Sequence, residues 1–368
     1  MEVRNVLPGN TRLVREQYDA KASYRILQAS VSPGEENLGH LPDGSKVILQ
    51  RGDHATELDR ICSSLEDAAK FTTDSPERLQ VLTKYVESFK TGDLQAYKSS
   101  QRAWVKDRGP AVENIFGFVE PYRDPSGLRA EFEGIVAIRD PKETEALTSL
   151  VDKTSIFIRR LPWATGRTAN DGKGPFEKAL FEPPDFTSIH ALTYCSSYLF
   201  EGINLPNYND IRQDCGFKNV IIANRMAVEG DSSVPCPYLD PLETATYASV
   251  KYPVCYLRVA LHELLGHGTS KLLAETGDGN YNFDIEDPPI NPLSGQPISS
   301  WYRPGQTWTS QFGDIATAVD ECRAELVAAF LMNDWEVLDL FGYNRHSSIS
   351  GDERESKHQL PWPALTRK

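Results

Sequence analysis

Two histidines and a glutamate interrupt an apolar helical stretch, and they restrict how this part of the chain can fold. The segment HELLGH at His262–His267 lies inside Val254–Ala274, which the apolar pattern predicts to be one long helix. Zinc hydrolases with an HExxH segment hold the metal with two imidazoles one helical turn apart, beside a glutamate general base. The segment therefore predicts a metal site with Glu263 as the base. The alternative is that the two histidines are structural and form hydrogen bonds inside a helical bundle. This alternative is weakened because burying a His-Glu-His cluster without partners costs free energy.

The spacing of the two histidines adds a condition on the backbone. His262 and His267 are five residues apart, which in an ideal α-helix leaves an angular offset of ~140°, whereas a four-residue step leaves only ~40°. Joint chelation therefore requires a π turn or a loosened turn, and such turns are frequent at functional sites. Gly266 directly precedes the second histidine and tolerates this distortion.

A second helix carries the candidates for a third ligand. Ala316–Met332 is predicted to be helical and rich in alanine, and it contains the acidic segment DECRAE at Asp320–Glu325. Small alanines would let this helix approach the first closely. One carboxylate can bind the metal, while the others accept hydrogen bonds from the free histidine nitrogens. The alternative is a cluster of salt bridges within the helix, such as Asp320 with Arg323.

Composition narrows the class of protein. A chain of 368 residues suggests two domains, and a net charge of −13 argues against binding to a nucleic-acid backbone. No apolar run is long enough for a membrane span, and the first residues lack the apolar core of a secretory signal. The six cysteines are scattered, which is typical of reduced thiols in the cytosol. We expect a cytoplasmic protein in which Cys322 is a buried, unreactive thiol rather than a ligand or nucleophile.

Elsewhere the spacing of apolar residues predicts both helices and strands in the first half of the chain. Two of the helices are predicted between Ala55 and Phe89. Further predicted helices are Leu94–Val105 and Pro141–Leu161. The predicted strands are Ser23–Val31, Lys46–Gln50, Ile115–Glu120, Ala130–Arg139 and Val220–Asn224.

HELLGH and ECRAE together resemble the motifs of the dipeptidyl peptidase III family of zinc aminopeptidases. The family pattern for the second motif is EECRAE, and this chain has Asp320 at the first acidic position. The resemblance extends from about residue 10 to about residue 343. It includes the segments NTRLV from Asn10, YRDP from Tyr122, EFEG from Glu131, NLPNY from Asn204 and SWYR from Ser300.

The resemblance implies an α+β fold with two lobes around a cleft. The upper lobe is expected to be mainly helical and to carry the zinc site, and the lower lobe to be mixed with a partial β-barrel core. The expected bounds are 1–140 and 187–232 for the lower lobe, and 141–186 and 233–343 for the upper lobe. Residues 344–368 are expected to form an irregular tail.

The resemblance also implies a role for each matching residue. His262, His267 and Glu321 match the ligands of one zinc ion, and Glu263 matches the general base. Tyr122 matches a catalytic tyrosine whose phenol can donate to the developing oxyanion. The resemblance further implies that two acids support the ligand histidines, Asp320 and Glu325. Four residues match groups that bind the peptide substrate, mostly at its free amine: Glu120, Glu133, Asn204 and Asn207. For the two asparagines, the alternative is a turn around Pro206.

The implied function is release of N-terminal dipeptides from short peptides through a zinc-activated water. Members of the family are longer at both ends, so we expect this chain to be a truncated section of such a peptidase. The alternative function is therefore a catalytically incompetent fragment that still binds zinc and peptides. We expect a monomer that binds neither nucleic acid nor membranes.

Overall fold

The fold is a mixture of helices and sheets, as a computed structural model of the chain shows. It describes residues 6–18, 21–121, 123–164, 169–178, 185–229, 239–277, 279–344 and 346–347. The α+β class expected from the sequence is confirmed. Among the described residues, no helix combines the length and the apolar character needed to cross a membrane.

The strands of the described residues form three sheets. The first sheet has the order β1-β2-β4-β3 and contains one parallel pair, β2 with β4. The second has the order β5-β6-β7-β9-β8, so β8 is an edge strand, and the third is the pair β10-β11. The strands are β1 (Thr11–Tyr18), β2 (Lys21–Ala29), β3 (Gly34–His40), β4 (Lys46–Asp53), β5 (Val112–Glu120), β6 (Glu131–Arg139), β7 (Asp185–Cys195), β8 (Gly202–Leu205), β9 (Lys218–Ile222), β10 (Glu275–Gly277) and β11 (Asn280–Tyr281).

The helices follow the local signals in the sequence. Helix α2, for example, begins at Pro76, and the Ser75 side chain accepts a hydrogen bond from the backbone N–H of Arg78. It ends at Thr91, and the following Gly92 has a φ of 79°, the left-handed conformation that glycine adopts without strain. The helices are α1 (Ala55–Phe71), α2 (Pro76–Thr91), α3 (Leu94–Lys106), α4 (Pro141–Asp152), α5 (Thr154–Ile158), α6 (Asn209–Asp214), α7 (Ala223–Glu229), α8 (Thr244–Leu261), α9 (Trp308–Phe312), α10 (Ala316–Leu331) and α11 (Trp335–Leu340).

Two helix predictions had wrong bounds. The helix expected over Pro141–Leu161 is two helices, α4 and α5, because the chain leaves helical geometry at Lys153. The helix expected over Val254–Ala274 begins earlier, at Thr244, and its α-helical part ends at Leu261. A proline inside a helix normally destabilises it, but α8 continues through Pro253 because its apolar residues are buried in the core on both sides of the proline.

Contacts divide the chain into two compact units. The first comprises Met1–Ile138, Ala191–Leu199 and Leu205–Lys218, and the second comprises Arg139–His190, Phe200–Asn204 and Asn219–Lys368. In the second unit, α8 and α10 contribute buried residues to one large apolar core. The domain bounds and the two lobes expected from the sequence stay predictions.

Candidate metal centre

A π turn places the two histidines of the HELLGH segment on the same side of the backbone. Helix α8 ends at Leu261, and His262–Gly266 follow as one π-helical turn. The backbone N–H of His267 donates to the carbonyl of His262 over 3.0 Å, which is the five-residue hydrogen bond of a π turn. The wider turn brings residues five apart into line, and the rings lie with their centroids 4.7 Å apart. The distorted turn required by the spacing is confirmed.

A glycine allows the π turn to touch helix α10. A Cβ atom built on Gly266 would lie 2.8 Å from both Cα and Cβ of Ala324 and 3.0 Å from its carbonyl oxygen. Two of these three atoms belong to the backbone, so α10 cannot make room by a side-chain rotation. The alanines predicted to let the second helix approach the first therefore do so at Ala324, which is completely buried and meets Gly266.

Arg323 ties the end of the π turn to α10. Its guanidinium donates to the carbonyl oxygen of Gly266, to both the carbonyl and the hydroxyl oxygen of Thr269, and to the hydroxyl of Ser270. The same group lies over the Trp163 ring, 5.7 Å from its centroid. Arginine suits this position because its planar group offers five N–H donors in a fixed geometry. This side chain therefore satisfies carbonyl groups that the end of a helix leaves without partners.

Three side chains converge as a possible set of metal ligands. The Nε2 atoms of His262 and His267 are 3.1 Å apart, and Glu321 has an oxygen 3.3 Å from the first and another 3.8 Å from the second. A tetrahedral zinc site with metal–ligand bonds of about 2.0–2.1 Å has neighbouring ligand atoms about 3.3 Å apart. Two imidazole nitrogens and one carboxylate therefore fit a zinc ion in both chemistry and spacing. Glu321 leaves 44% of its side chain exposed, so the group is open on one side.

Two further acids stand behind the histidines. The Asp320 carboxylate lies 3.3 Å from Nδ1 of His267, and the Glu325 carboxylate lies 3.5 Å from Nδ1 of His262. The second contact is electrostatic, because the buried Nδ1 of His262 makes no hydrogen bond of good geometry. Arg258 in turn forms an ion pair with Glu325. Carboxylates in these positions hold ligand histidines in one orientation and tautomer.

The charges around His262 favour a cation at its position. Burial lowers the pKa of His262, but the carboxylates of Glu321 and Glu325 outweigh burial and raise this pKa to about 10. A group of negative charges around two imidazoles attracts a proton or a metal ion in the same way, so the electrostatics agree with the spacing of the ligand atoms.

Glu263, the expected base, is buried beside strand β8. Only 8% of Glu263 is exposed. Gly202 and Asn204 are two residues apart in β8 and share the face that meets it: Gly202 lies against its carboxylate, and Asn204 Nδ2 donates to its backbone oxygen over 3.4 Å. Asn204 also donates to the side-chain oxygen of Asn219 over 2.5 Å. The structure therefore brings Asn204 to the expected base.

The first unit brings together two of the expected substrate-binding residues. The amide of Asn207 donates to the Glu120 carboxylate over 2.8 Å. Glu133 lies in β6 and is 2% exposed. Burial, with a smaller contribution from the charge of Glu131, raises the pKa of Glu133 to about 7. Tyr122, the expected catalytic tyrosine, lies outside the described residues.

The raised pKa of Glu133 predicts a pH-dependent stability. A carboxyl group whose folded pKa exceeds its unfolded value stabilises the fold when protonated, so this contribution is lost as pH rises from about 4.5 through about 7. The loss amounts to about 3 kcal/mol for a shift of this size. In Glu133→Gln this part of the pH dependence should vanish, as urea unfolding at pH 5 and pH 8 can measure. The exposed Glu57→Gln is the control, and an unchanged pH slope in Glu133→Gln would contradict the assignment.

A second group of potential ligands has a simpler explanation. Asp140, Glu143 and His190 have ligand atoms within 4.8 Å of one another. Asp140 caps helix α4 by accepting from the N–H of Glu143, and the Glu143 carboxylate accepts from the hydroxyl of Ser188 over 2.6 Å. His190 is half exposed and lies 3.8 Å and 4.0 Å from the two acids. These contacts describe a capped helix start with a nearby histidine.

Sequence reasoning missed Arg258 and Gly202 and gave Arg323 only a salt-bridge role. Arg258 precedes His262 by four residues in an apolar helix, and this spacing was a signal that it faces the same side. Gly202 carried no signal, because its role depends on a contact distant in sequence. The expectation that Cys322 is buried was wrong: it lies on the exposed face of α10, since the helix turns its alanines at 324 and 328 inward instead.

Comparison with known proteins shows which proteins this chain is similar to. The model of peptidase family M49 matches residues 1–355. Human dipeptidyl peptidase 3 is 38% identical over 100% of this chain and 49% of its own length, and that of Nematostella vectensis is 35% identical over 96% and 48%. The chain thus spans about half the length of the curated relatives it matches. DPP III from Caldithrix abyssi shares the fold, with a TM-score of 0.57 and 19% identity over 86% of this chain and 53% of its own. The chain belongs to peptidase family M49.

Proposed function

We propose that this chain binds one zinc ion through His262, His267 and Glu321 and releases N-terminal dipeptides from short peptides. The observation that carries the proposal is the group of two imidazole nitrogens and a carboxylate at 3.1–3.8 Å. Membership of family M49 and the similarity to dipeptidyl peptidase 3 support the reaction type. Zinc, when bound, supplies a Lewis acid and lowers the pKa of a coordinated water.

Glu263 supplies the proton transfers of the proposed reaction. Its carboxylate takes a proton from the attacking water and returns it to the amine that leaves. Glu263 is buried, and its carboxylate lies against Gly202 of β8. The phenol of Tyr122 is proposed to donate to the oxyanion that develops on the substrate carbonyl.

The substrate's free amine is proposed to be bound by carboxylates and amides. An ammonium group pairs with the Glu120 carboxylate and with the amide oxygens of Asn204 and Asn207, and Glu133 adds a further acid. The contact between Asn207 and Glu120 supports this assignment for two of the four residues.

The alternative function is that the metal ligands and the base bind zinc and a peptide without hydrolysing the peptide. The two functions share the metal site and differ in catalysis. Both are proposed for a cytoplasmic, monomeric protein that binds peptides rather than nucleic acid or membranes.

Glu263→Gln separates the two functions. We expect this variant to keep its zinc, because Glu263 is not a ligand, and to lose hydrolysis of a dipeptidyl arylamide by about 10²–10⁴-fold. The exposed Glu286→Gln makes the same chemical change in the second unit and should retain the wild-type rate. Stoichiometric zinc with a wild-type rate no higher than that of Glu263→Gln would favour the non-catalytic function. Absence of zinc binding would contradict both.

A further inference from the structure

Strand β8 approaches the expected base more closely than any side chain at position 202 would allow. A Cβ atom built on Gly202 would lie 2.7 Å from Cγ1 of Val259, 2.8 Å from Oε1 of Glu263 and 3.1 Å from its Cγ. Real Cβ atoms essentially never come within 3.0 Å of another heavy atom, and the first two of these distances are shorter than that. We propose that Gly202 is a positioning residue that keeps open the space occupied by the Glu263 carboxylate. This inference rests on the proposed role of Glu263 as general base.

The strand cannot move away to accept a larger residue. Ile203 and Leu205 are buried on the opposite face of β8. The residue before Gly202, Glu201, is paired with Arg258 of helix α8, and its backbone oxygen accepts from the N–H of Ile222 in β9. The ion pair therefore holds the start of β8 to α8, and the hydrogen bond holds it to β9.

Of the two neighbours of Gly202, the glutamate has the freedom to yield. Val259 is buried, and a β-branched side chain in a helix has one strongly preferred χ1 rotamer. The carboxylate of Glu263 is the far end of a flexible side chain. A methyl group at position 202 is therefore expected to displace the base, while the π turn and the metal ligands keep their positions.

The backbone at Gly202 does not itself require glycine. Its φ lies outside the left-handed range, so alanine is compatible with the local conformation. The same holds for Gly34 in β3, where an added Cβ would meet only ordinary contacts at 3.8 Å and beyond. Gly202→Ala thus tests the contact with Glu263, and Gly34→Ala is a matched control for placing alanine in a strand.

The first experiment needs no activity. Thermal unfolding is compared for wild type, Gly202→Ala, Glu263→Ala and the double variant. We expect Gly202→Ala to lower the Tm by about 3–6 °C, and at least about half of this loss to disappear in the Glu263→Ala background, because the two side chains no longer collide. Gly34→Ala combined with Glu263→Ala should be additive. Full additivity for Gly202→Ala would overturn the proposal.

The second experiment measures hydrolysis of a dipeptidyl arylamide. Gly202→Ala should lower kcat about 100-fold and leave the KM and the zinc content unchanged. A rise in KM with unchanged kcat would overturn the proposal, because it would mean that the substrate-binding Asn204 on the same strand had moved instead. If the wild-type chain hydrolyses nothing, the proposed catalysis fails, and the thermal cycle alone decides whether Gly202 makes room for Glu263.

Discussion

Replacing Gly266 by alanine should abolish tight zinc binding. The added Cβ would lie 2.8 Å from Cα and Cβ of Ala324 and 3.0 Å from its carbonyl oxygen. Relief requires the π turn and α10 to separate, and this moves the two histidines away from Glu321. A displacement of this kind misplaces the ligand atoms, and we expect the zinc affinity to fall about 100-fold or more. Competition with a chromophoric chelator measures this affinity.

Two further variants make the Gly266→Ala test specific. Gly34→Ala, whose added Cβ meets only ordinary contacts, should bind zinc as wild type does. Combining Gly266→Ala with Ala324→Gly should recover only part of the affinity, because the Cα and carbonyl oxygen of Ala324 remain in the way. Zinc affinity of Gly266→Ala within about threefold of wild type would show that the close contact is not needed for the site.

The second large effect is expected at Glu321. This residue places its two carboxylate oxygens 3.3 Å and 3.8 Å from the Nε2 atoms of the histidines, so Glu321→Ala removes one of three ligands and should lose zinc. Glu325 instead lies near Nδ1 of His262, the ring nitrogen that is not expected to bind the metal. Glu325→Ala should therefore only weaken zinc binding, by about 10–100-fold.

The same chelator competition decides between the two acids. Both substitutions remove a carboxylate from the same helix, so each is the control for the other. The reverse order, with a larger loss for Glu325→Ala, would mean that the metal lies on the other side of His262 and that the ligand assignment is wrong.

Much of the candidate site could be predicted because its elements are local in sequence. The five-residue spacing of His262 and His267 already required a π turn or a loosened turn, and the structure has a π turn at His262–Gly266. Alanines in the second predicted helix indicated a close approach, which occurs at Ala324. Periodicity likewise predicted α10 to within one residue.

Other features depend on contacts between distant parts of the chain. Local pattern alone left open which acid of the DECRAE segment faces the Nε2 atoms, because that depends on how α10 is rotated against the π turn. The contact of Gly202 with Glu263 joins an edge strand to a helix 61 residues later, and a single glycine in a strand carries no sign of it. The start of α8 was missed because Pro253 is typical of a helix boundary, whereas burial in the core overrides that tendency here.

The number of zinc ions bound per chain tests the central claim most directly. The wild-type chain, stripped of metal and titrated with zinc, should bind one ion per chain with an affinity that Glu321→Ala abolishes. Elemental analysis of the dialysed protein gives the stoichiometry. No tightly bound zinc, or one ion bound equally well by wild type and Glu321→Ala, would contradict the assignment of His262, His267 and Glu321 as the metal centre.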